Sequence, residues 1–248
     1  MRSIGIIPAR YNSSRFPAKP LAVIHGKTMI QRVYEQAKKS NELSKVVVAT
    51  DDERIFDAVL EFGGEVVMTS EHHGSGTERC SEVLESLSDN FDVVVNIQGD
   101  EPYIQEQQID LLISCFEDQL TEIATLVKRI SDPEVLNDPN KVKVVIDAKG
   151  RGLYFSRQAI PYQQNASSDN WINESDYFKH IGMYAYRSAT LKEIVKLEPS
   201  SLEQAESLEQ LRWIENGYSI QTAVTEQEAL SVDTPEDLEK LIQMNLED

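Results

Sequence analysis

Cysteine is scarce in this chain: Cys80 and Cys115 are the 2 in 248 residues. That excludes a disulfide framework and a cysteine zinc cluster, and points to reduced thiols in a cytoplasmic setting. Long apolar runs are missing too. None approaches the ~18 residues of a membrane helix, so no membrane insertion is expected. Basic residues are outnumbered, 24 Lys+Arg against 42 Asp+Glu, for a formal net charge of -18. So acidic a chain is not expected to bind nucleic acid or anionic lipid surfaces. The glycine signatures of two large nucleotide-binding classes are absent as well. A dinucleotide fingerprint requires G-x-G-x-x-G after the first strand, and only Gly5 stands there, inside the strand. Gly26-Lys27-Thr28 resembles the end of a Walker A loop, but Leu21 occupies the position of its first glycine. Neither a nicotinamide enzyme nor a P-loop enzyme is expected.

One absence is local. Residues 1–34 contain no Asp or Glu, yet carry Arg2, Arg10, Arg15, Lys19, Lys27 and Arg32. A positive segment on a negative protein marks a local anion site. Transit peptides are also Arg-rich and acid-poor. Here, however, Ile4-Gly5-Ile6-Ile7 reads as a buried strand, and Pro8, Pro17 and Pro20 would break an amphipathic targeting helix.

What is present is the composition of an ordinary globular protein, 40% hydrophobic and 27% charged. A chain this long buries on the order of 70% of its surface without staples. Strand and helix patterns alternate: strands at 4–8, 45–49, 65–68 and 91–97, helices at 29–39, 53–62, 78–87 and 105–116. This predicts an α/β fold with a mostly parallel sheet flanked by helices. Right-handed crossovers align the strand C-terminal ends on one edge, where ligands of such sheets bind. After residue 120 strands dominate, at 124–127, 142–146, 152–155 and 182–186, with a polar loop at 162–178. Helices return at 191–196, 208–215 and 235–246. With no repeat and no linker, residues 1–248 read as a single domain with a smaller β-rich inserted part around 120–190.

The motifs cluster at the expected strand ends. After the first strand comes P-A-R-Y-N-S-S-R-F-P-A-K-P-L, with Arg10, Arg15 and Lys19 on one loop. Three cations suit a triphosphate, which needs several donors at once, although a solvated loop would also carry scattered charge. The second strand ends at Thr50-Asp51-Asp52-Glu53, where Thr50 and Glu53 fit a capping box as well as a nucleotide contact. His73-Gly74-Ser75-Gly76-Thr77-Glu78 joins two glycines and two hydroxyls to a helix start, with Ser75 and Glu78 as a second possible box. The His72-His73 pair is poorly spaced for a metal, because adjacent side chains in a loop seldom converge. Val93-Val94-Val95-Asn96-Ile97-Gln98-Gly99-Asp100-Glu101-Pro102 is an apolar strand ending in a polar turn. Gly99 permits close backbone approach there. Asp100 can hold Mg²⁺, which prefers carboxylate and phosphate oxygens, although Asp and Gly also belong to ordinary turns. Late in the chain, Thr234 caps a helix with Pro235 in its first turn. That leaves Asp233 to face the same edge as Asp100.

Together these blocks resemble the 3-deoxy-manno-octulosonate (Kdo) cytidylyltransferases, the CMP-Kdo synthetases. The matching stretches are I-P-A-R-Y-x-S-S-R-F-P-A-K-P-L at 7–21, V-A-T-D at 48–51, G-G-E-V-V-M-T at 63–69 and S-G-T-E-R at 75–79. They continue with V-N-I-Q-G-D-E-P at 95–102, L-Y-F-S-R-x-x-I-P at 153–161, K-H-I-G-x-Y-x-Y-R at 179–187, L-E-Q-L-R at 208–212 and V-D-T-P-E-D-L at 232–238. The blocks are collinear over nearly the whole chain.

The resemblance implies a Rossmann-like nucleotidyltransferase that makes CMP-Kdo and pyrophosphate from CTP and Kdo for lipopolysaccharide biosynthesis. In that reading Arg10, Arg15, Lys19 and Asp100 are catalytic, and Asp100 with Asp233 holds Mg²⁺. Pro8, Ala9, Arg10, Thr50, Asp51, Ser75, Gly76 and Gln98 contact the nucleotide. Gln98, Arg157, His180, Tyr184, Glu209 and Gln210 line the sugar site, Arg157 facing the Kdo carboxylate. Without the resemblance, His180 also suits a core histidine, and Glu209 and Gln210 a solvated helix face. A cytoplasmic homodimer joined through the β-rich part is implied. The family usually has glycine where this chain has Ala18, a small change unless the position requires φ > 0. Other readings are a Kdo variant such as 8-amino-Kdo, another acidic sugar such as a sialic acid, or a non-catalytic nucleotide-sensing module. Retention of Lys19, Asp100 and Asp233 argues against the last.

Overall fold

The first strand, β1 (Ser3–Ala9), is buried along nearly its whole length, as its unbroken apolar run requires. It belongs to a computed structural model that describes residues 1–12, 15–167 and 170–244. Ser13, Ser14, Ser168 and Asp169 of the two expected loops, and the expected helix end at Asn245 and Leu246, lie outside the described residues. Contacts divide the chain into two compact units, one of Met1–Ile113 with the segment from Ala229 on, the other of Ser114–Glu228.

In the first unit, a small hairpin of β2 (Val23–Ile24) and β3 (Lys27–Thr28) precedes α1 (Met29–Ala37). Thr28 caps that helix, accepting from the Gln31 N–H. Then follow β4 (Leu43–Thr50), α2 (Glu53–Glu61), β5 (Val66–Met68), α3 (Gly76–Ser86), β6 (Val93–Asn96) and α4 (Glu106–Ser114). The strands run β5-β4-β1-β6, all parallel, so the α/β expectation holds here. Ile6 pairs with Val47 on one side and Asn96 on the other, which aligns the ends of β1, β4 and β6 along one edge. The cap of α2 differs from the expectation. Asp52, not Thr50, accepts from the Arg54 N–H at 2.9 Å. A carboxylate one residue nearer the helix reaches its first free N–H groups better than a threonine whose side chain is already buried.

The second unit holds β7 (Ile123–Arg129), α5 (Pro133–Asn137), β8 (Lys143–Ile146), β9 (Arg151–Ser156), α6 (Trp171–Glu174), β10 (Phe178–Arg187), α7 (Ser188–Ile194), α8 (Ser201–Glu206), α9 (Gln210–Glu215) and β11 (Ile220–Val224). Its strands run β10-β7-β11-β9-β8, and β8 also pairs with β10, closing the five into a ring. The strand-rich stretch expected around 120–190 lies within this unit. Strand β11 and helix α8 were not expected, and β10 begins four residues before the expected Gly182.

The chain returns to the first unit with α10 (Pro235–Gln243), whose Thr234 and Asp237 form a reciprocal capping box. Leu241 and the preceding Val232 pack with Ile24, Met29 and Tyr103, so burial pins this late segment beside the β2–β3 hairpin. Neither Cys80 nor Cys115 forms a disulfide, and burial raises the Cys115 thiol to about 11, well above a reactive range.

Ala18 takes φ 60, ψ 17, the left-handed region, just ahead of a single 3-10 turn at Lys19–Leu21. Its position therefore does favour glycine. An L residue there costs roughly 1–2 kcal/mol, partly offset by the greater chain entropy that glycine loses on folding. Ala18→Gly should raise unfolding stability by about 0.5–1 kcal/mol in urea titrations; an unchanged or lower value would contradict the strain assigned to Ala18.

Candidate active site

The end of β1 passes into a loop whose base is closed by the Ala18 N–H donating to the Tyr11 carbonyl at 2.9 Å. The 3-10 turn that follows aims Lys19 at the carboxyl ends of the sheet. Its Nζ lies 2.8 Å from Asp100 Oδ2 and 3.7 Å from Asp233 Oδ1. Arg15 reaches the same Asp233 oxygen at 3.0 Å. Asp100 stands on the turn after β6. Asp233 is delivered by its neighbour Val232, which is fully buried and donates its N–H to the Asp100 carbonyl at 2.9 Å. Two carboxylates far apart in sequence thus meet at one ammonium.

These groups border a cavity of about 520 Å³, within the range of small-molecule sites. Pro8, Ala9, Arg10, Arg15, Lys19, Ser75, Gly76, Gln98, Asp100 and Asp233 all line it. Ser75 caps α3 by accepting from the Glu78 N–H at 3.3 Å, which leaves Gly76 in the helix's first turn at the cavity wall. Gly99 is required for packing: a Cβ there would lie 2.8 Å from the Pro8 carbonyl oxygen.

Thr50 and Asp51 are placed differently. Thr50 has no exposed surface, and its carbonyl accepts from the Thr69 N–H at 2.8 Å and the Thr69 hydroxyl at 3.1 Å. Asp51 accepts from Arg79 at 2.7 Å. Arg79 is 1% exposed yet lines the cavity, and it also donates to the Thr69 hydroxyl. Asp51 therefore stands behind the cavity wall and holds the cation that forms it. Arg79 and Asn12, which also lines the cavity, were not assigned from sequence. Arg79 sits three positions after Gly76 on the same helix, and that spacing places both on one face.

The other expected sugar residues belong to the second unit. A bulge in β10 between Ile181 and Tyr184 sets His180 opposite Val127 and Tyr184 opposite Thr125. The His180 and Tyr184 rings lie 5.2 Å apart, and Tyr184 meets the Trp213 ring edge-on at 5.0 Å. The Thr125 hydroxyl is 3.0 Å from His180 Nε2 and 2.8 Å from the Met183 carbonyl. Burial lowers His180 to about 3, so the ring is neutral at physiological pH, and raises the Tyr184 phenol well above its usual range. The Gln210 amide nitrogen and, apart from the Thr125 side chain beside it, the Tyr184 hydroxyl are buried with no hydrogen-bond partner among the described residues. Such orphaned groups are costly unless a ligand satisfies them. Glu209 immediately precedes α9, and its charge contributes to the Tyr184 shift. Arg157 donates to the carbonyls of Glu206, Pro139 and Ser207 at 2.8, 3.2 and 3.3 Å, which commits three of its five donors.

The cytidylyltransferase family profile matches residues 4–244. A 3-deoxy-manno-octulosonate cytidylyltransferase of Phocaeicola vulgatus is 57% identical over 241 residues, 96% of this chain and 95% of that protein. The Bacteroides thetaiotaomicron protein of the same description is 56% identical, covering 96% of each chain. The chain belongs to the 3-deoxy-manno-octulosonate cytidylyltransferase family. A solved CMP:2-keto-3-deoxy-manno-octonic acid synthetase complexed with CTP superposes with a TM-score of 0.91 at 42% identity, covering 98% of both chains. The fold is thus the Rossmann-like α/β nucleotidyltransferase type.

For a cytidylyltransferase, the donor set at Asp100 and Asp233 fits a hard divalent cation. Both side chains offer carboxylate oxygens only, and both already face a common positive charge. Among the described residues no group of three or more His, Cys, Asp and Glu is placed to hold a metal. An ion here would therefore complete its shell with phosphate oxygens and water, as Mg²⁺ commonly does.

Two predictions arise from this geometry. Gly99→Ala should force β1 and the Asp100 turn apart, lowering stability by about 1–3 kcal/mol and weakening CTP binding by calorimetry; unchanged binding and melting would contradict the close approach. The second concerns pH. His180 has a lowered pKa in the folded state, so the unfolded chain binds more protons between its ordinary 6.5 and about 3. Stability from this group is complete above pH 6.5 and is lost as pH falls, by at most about 1.4 kcal/mol per unit. In urea titrations from pH 7 to 4, His180→Gln should lose less stability than the wild type; parallel curves would contradict the burial effect.

Proposed function

We propose that this protein activates Kdo with CTP, releasing CMP-Kdo and pyrophosphate. The observation that carries this reading is the meeting of Lys19, Arg15, Asp100 and Asp233 at one nucleotide-sized cavity. The relatives named for the same reaction, and the neighbour described as complexed with CTP, support it.

In this reading the triphosphate lies along the loop after β1. Arg10, Arg15 and Lys19 neutralise it and stabilise the departing pyrophosphate, while Ser75, Gly76 and Gln98 border the nucleoside. Asp51 serves through Arg79, and Thr50 holds the strand end that carries Asp51. The anomeric hydroxyl of Kdo attacks the α-phosphorus in line. A new phosphorus–oxygen bond forms as the bond to the β-phosphate bridge breaks, and the hydroxyl proton passes to solvent. No covalent enzyme intermediate is needed. Asp100 and Asp233 are the residues that would hold Mg²⁺, whose chemistry is to neutralise phosphate charge and make the sugar hydroxyl more acidic.

Kdo is assigned to the second unit. The buried Tyr184 hydroxyl and the unpartnered Gln210 amide offer hydrogen bonds to sugar hydroxyls, and Glu209 accepts from them. The uncommitted donors of Arg157 suit the carboxylate. Neutral His180 positions the wall through Thr125 and carries no charge to the sugar. We further assign a cytoplasmic homodimer, joined through the strand-rich unit, whose product enters lipopolysaccharide assembly. Thiols at Cys80 and Cys115 that are not joined in a disulfide support the compartment, and exposed Leu120, Leu153, Tyr162 and Val224 support the interface.

The test is pyrophosphate release from CTP with magnesium, comparing Kdo, 8-amino-Kdo and a sialic acid. Kdo-dependent release is expected, reduced roughly 100-fold or more in Asp100→Asn. Release with another sugar alone would move the substrate and keep the chemistry. No release with any sugar, from folded protein that still binds CTP, would leave a nucleotide-sensing protein instead.

A further inference from the structure

A residue outside the cavity contacts the loop that carries its cations. Arg54, in the first turn of α2, lays its guanidinium carbon 3.3 Å from the centre of the Tyr11 ring. The guanidinium is held flat by a two-pronged contact with Asp52, Nε to Oδ1 at 2.9 Å and the terminal nitrogen to Oδ2 at 2.6 Å. Asp52 is fixed in turn, because the same Oδ1 caps α2. Tyr11 lies between Arg10 and Arg15, and its carbonyl takes the Ala18 N–H that closes the loop. The helix cap, the guanidinium, the ring and the loop base thus form one continuous series of contacts. Neither Tyr11 nor Arg54 is among the residues lining the cavity, and the Arg54 side chain is 59% exposed.

We propose that Arg54 is a positioning residue for the triphosphate: stacked on Tyr11 and braced by Asp52, it fixes the base of the loop from which Arg10, Arg15 and Lys19 reach the nucleotide. The inference rests on the proposed use of CTP. Cation–π contacts at exposed sites are modest, so the effect falls on nucleotide binding by a small factor while the fold survives. Lysine keeps the charge but lacks the planar fork that grips Asp52 at two points while lying flat on the ring.

The test measures KM for CTP, KM for Kdo, kcat and melting temperature for Arg54→Ala, Arg54→Lys, Tyr11→Ala and Tyr11→Phe. CTP binding is followed in parallel by calorimetry with magnesium present and no sugar. Arg54→Ala, Arg54→Lys and Tyr11→Ala should each raise KM and Kd for CTP about 3- to 10-fold, with KM for Kdo unchanged. Tyr11→Phe keeps the ring and should stay within about two-fold of wild type. The Arg54→Ala/Tyr11→Ala double variant should be no worse than either single one. Wild-type affinity in Arg54→Lys or Tyr11→Ala would overturn the proposal, since long-range charge would then explain any Arg54→Ala effect. A fall in melting temperature with both KM values changed together would overturn it as well, in favour of a purely structural role. If wild-type protein binds CTP but turns over no sugar, the reading of the reaction fails, and the calorimetric comparison still decides the role of Arg54.

Discussion

The cavity of the first unit depends on keeping two carboxylates close together. Asp100 and Asp233 would repel each other if left alone, and the ammonium of Lys19 relieves that repulsion from between them. Each participant is fixed by a different kind of force. Lys19 is set by a left-handed residue and a 3-10 turn, Asp100 by a turn packed against the end of β1, and Asp233 by burial of Val232 and one backbone hydrogen bond. The result is a charged site whose groups are held in place before any ligand arrives, and such preorganisation is what makes electrostatic stabilisation effective.

The second unit works by different means. Apart from Glu209, its candidate groups are neutral or backbone-engaged: a histidine that burial keeps uncharged, a buried tyrosine, a glutamine with an open amide nitrogen, and an arginine partly committed to carbonyls. An environment of this kind discriminates by hydrogen-bond geometry. A ligand that fails to satisfy the orphaned atoms leaves their desolvation cost standing.

Much of this was legible in the sequence where a single physical rule dominated. The apolar runs at β1, β4 and β6 read as buried strands, and the acid-free N-terminal segment pointed to the loop whose Arg10, Arg15 and Lys19 line the cavity. Asp233 stood out because the capping residues around it were accounted for and it was not. Legibility failed where tertiary contacts override local pattern. Lys179 and His180 made the start of β10 look like loop, but Lys179 is buried and paired with Glu228 inside the strand. In β11, Ile220 and Thr222 alternate with partly exposed residues, a short period-two signal that a five-residue segment barely shows. Thr50 satisfied a capping pattern that Asp52 fulfils, because sequence does not reveal which oxygen is already buried. Arg79 was overlooked because its partner Asp51 lies on a different element.

The excursion of the chain between Ser114 and Glu228 has a consequence for biosynthesis. The parallel sheet and the cation loop leave the ribosome early, but Asp233 follows only after the whole strand-rich unit has been translated. A nascent chain can therefore build the positive half of the site long before its second carboxylate exists. Until then Lys19 and Arg15 face only Asp100 or solvent, and a truncated product would carry a cationic cleft without the group that balances it. The order of residues along the chain thus makes synthesis of the segment from Ala229 on the last step in assembling the charge pattern.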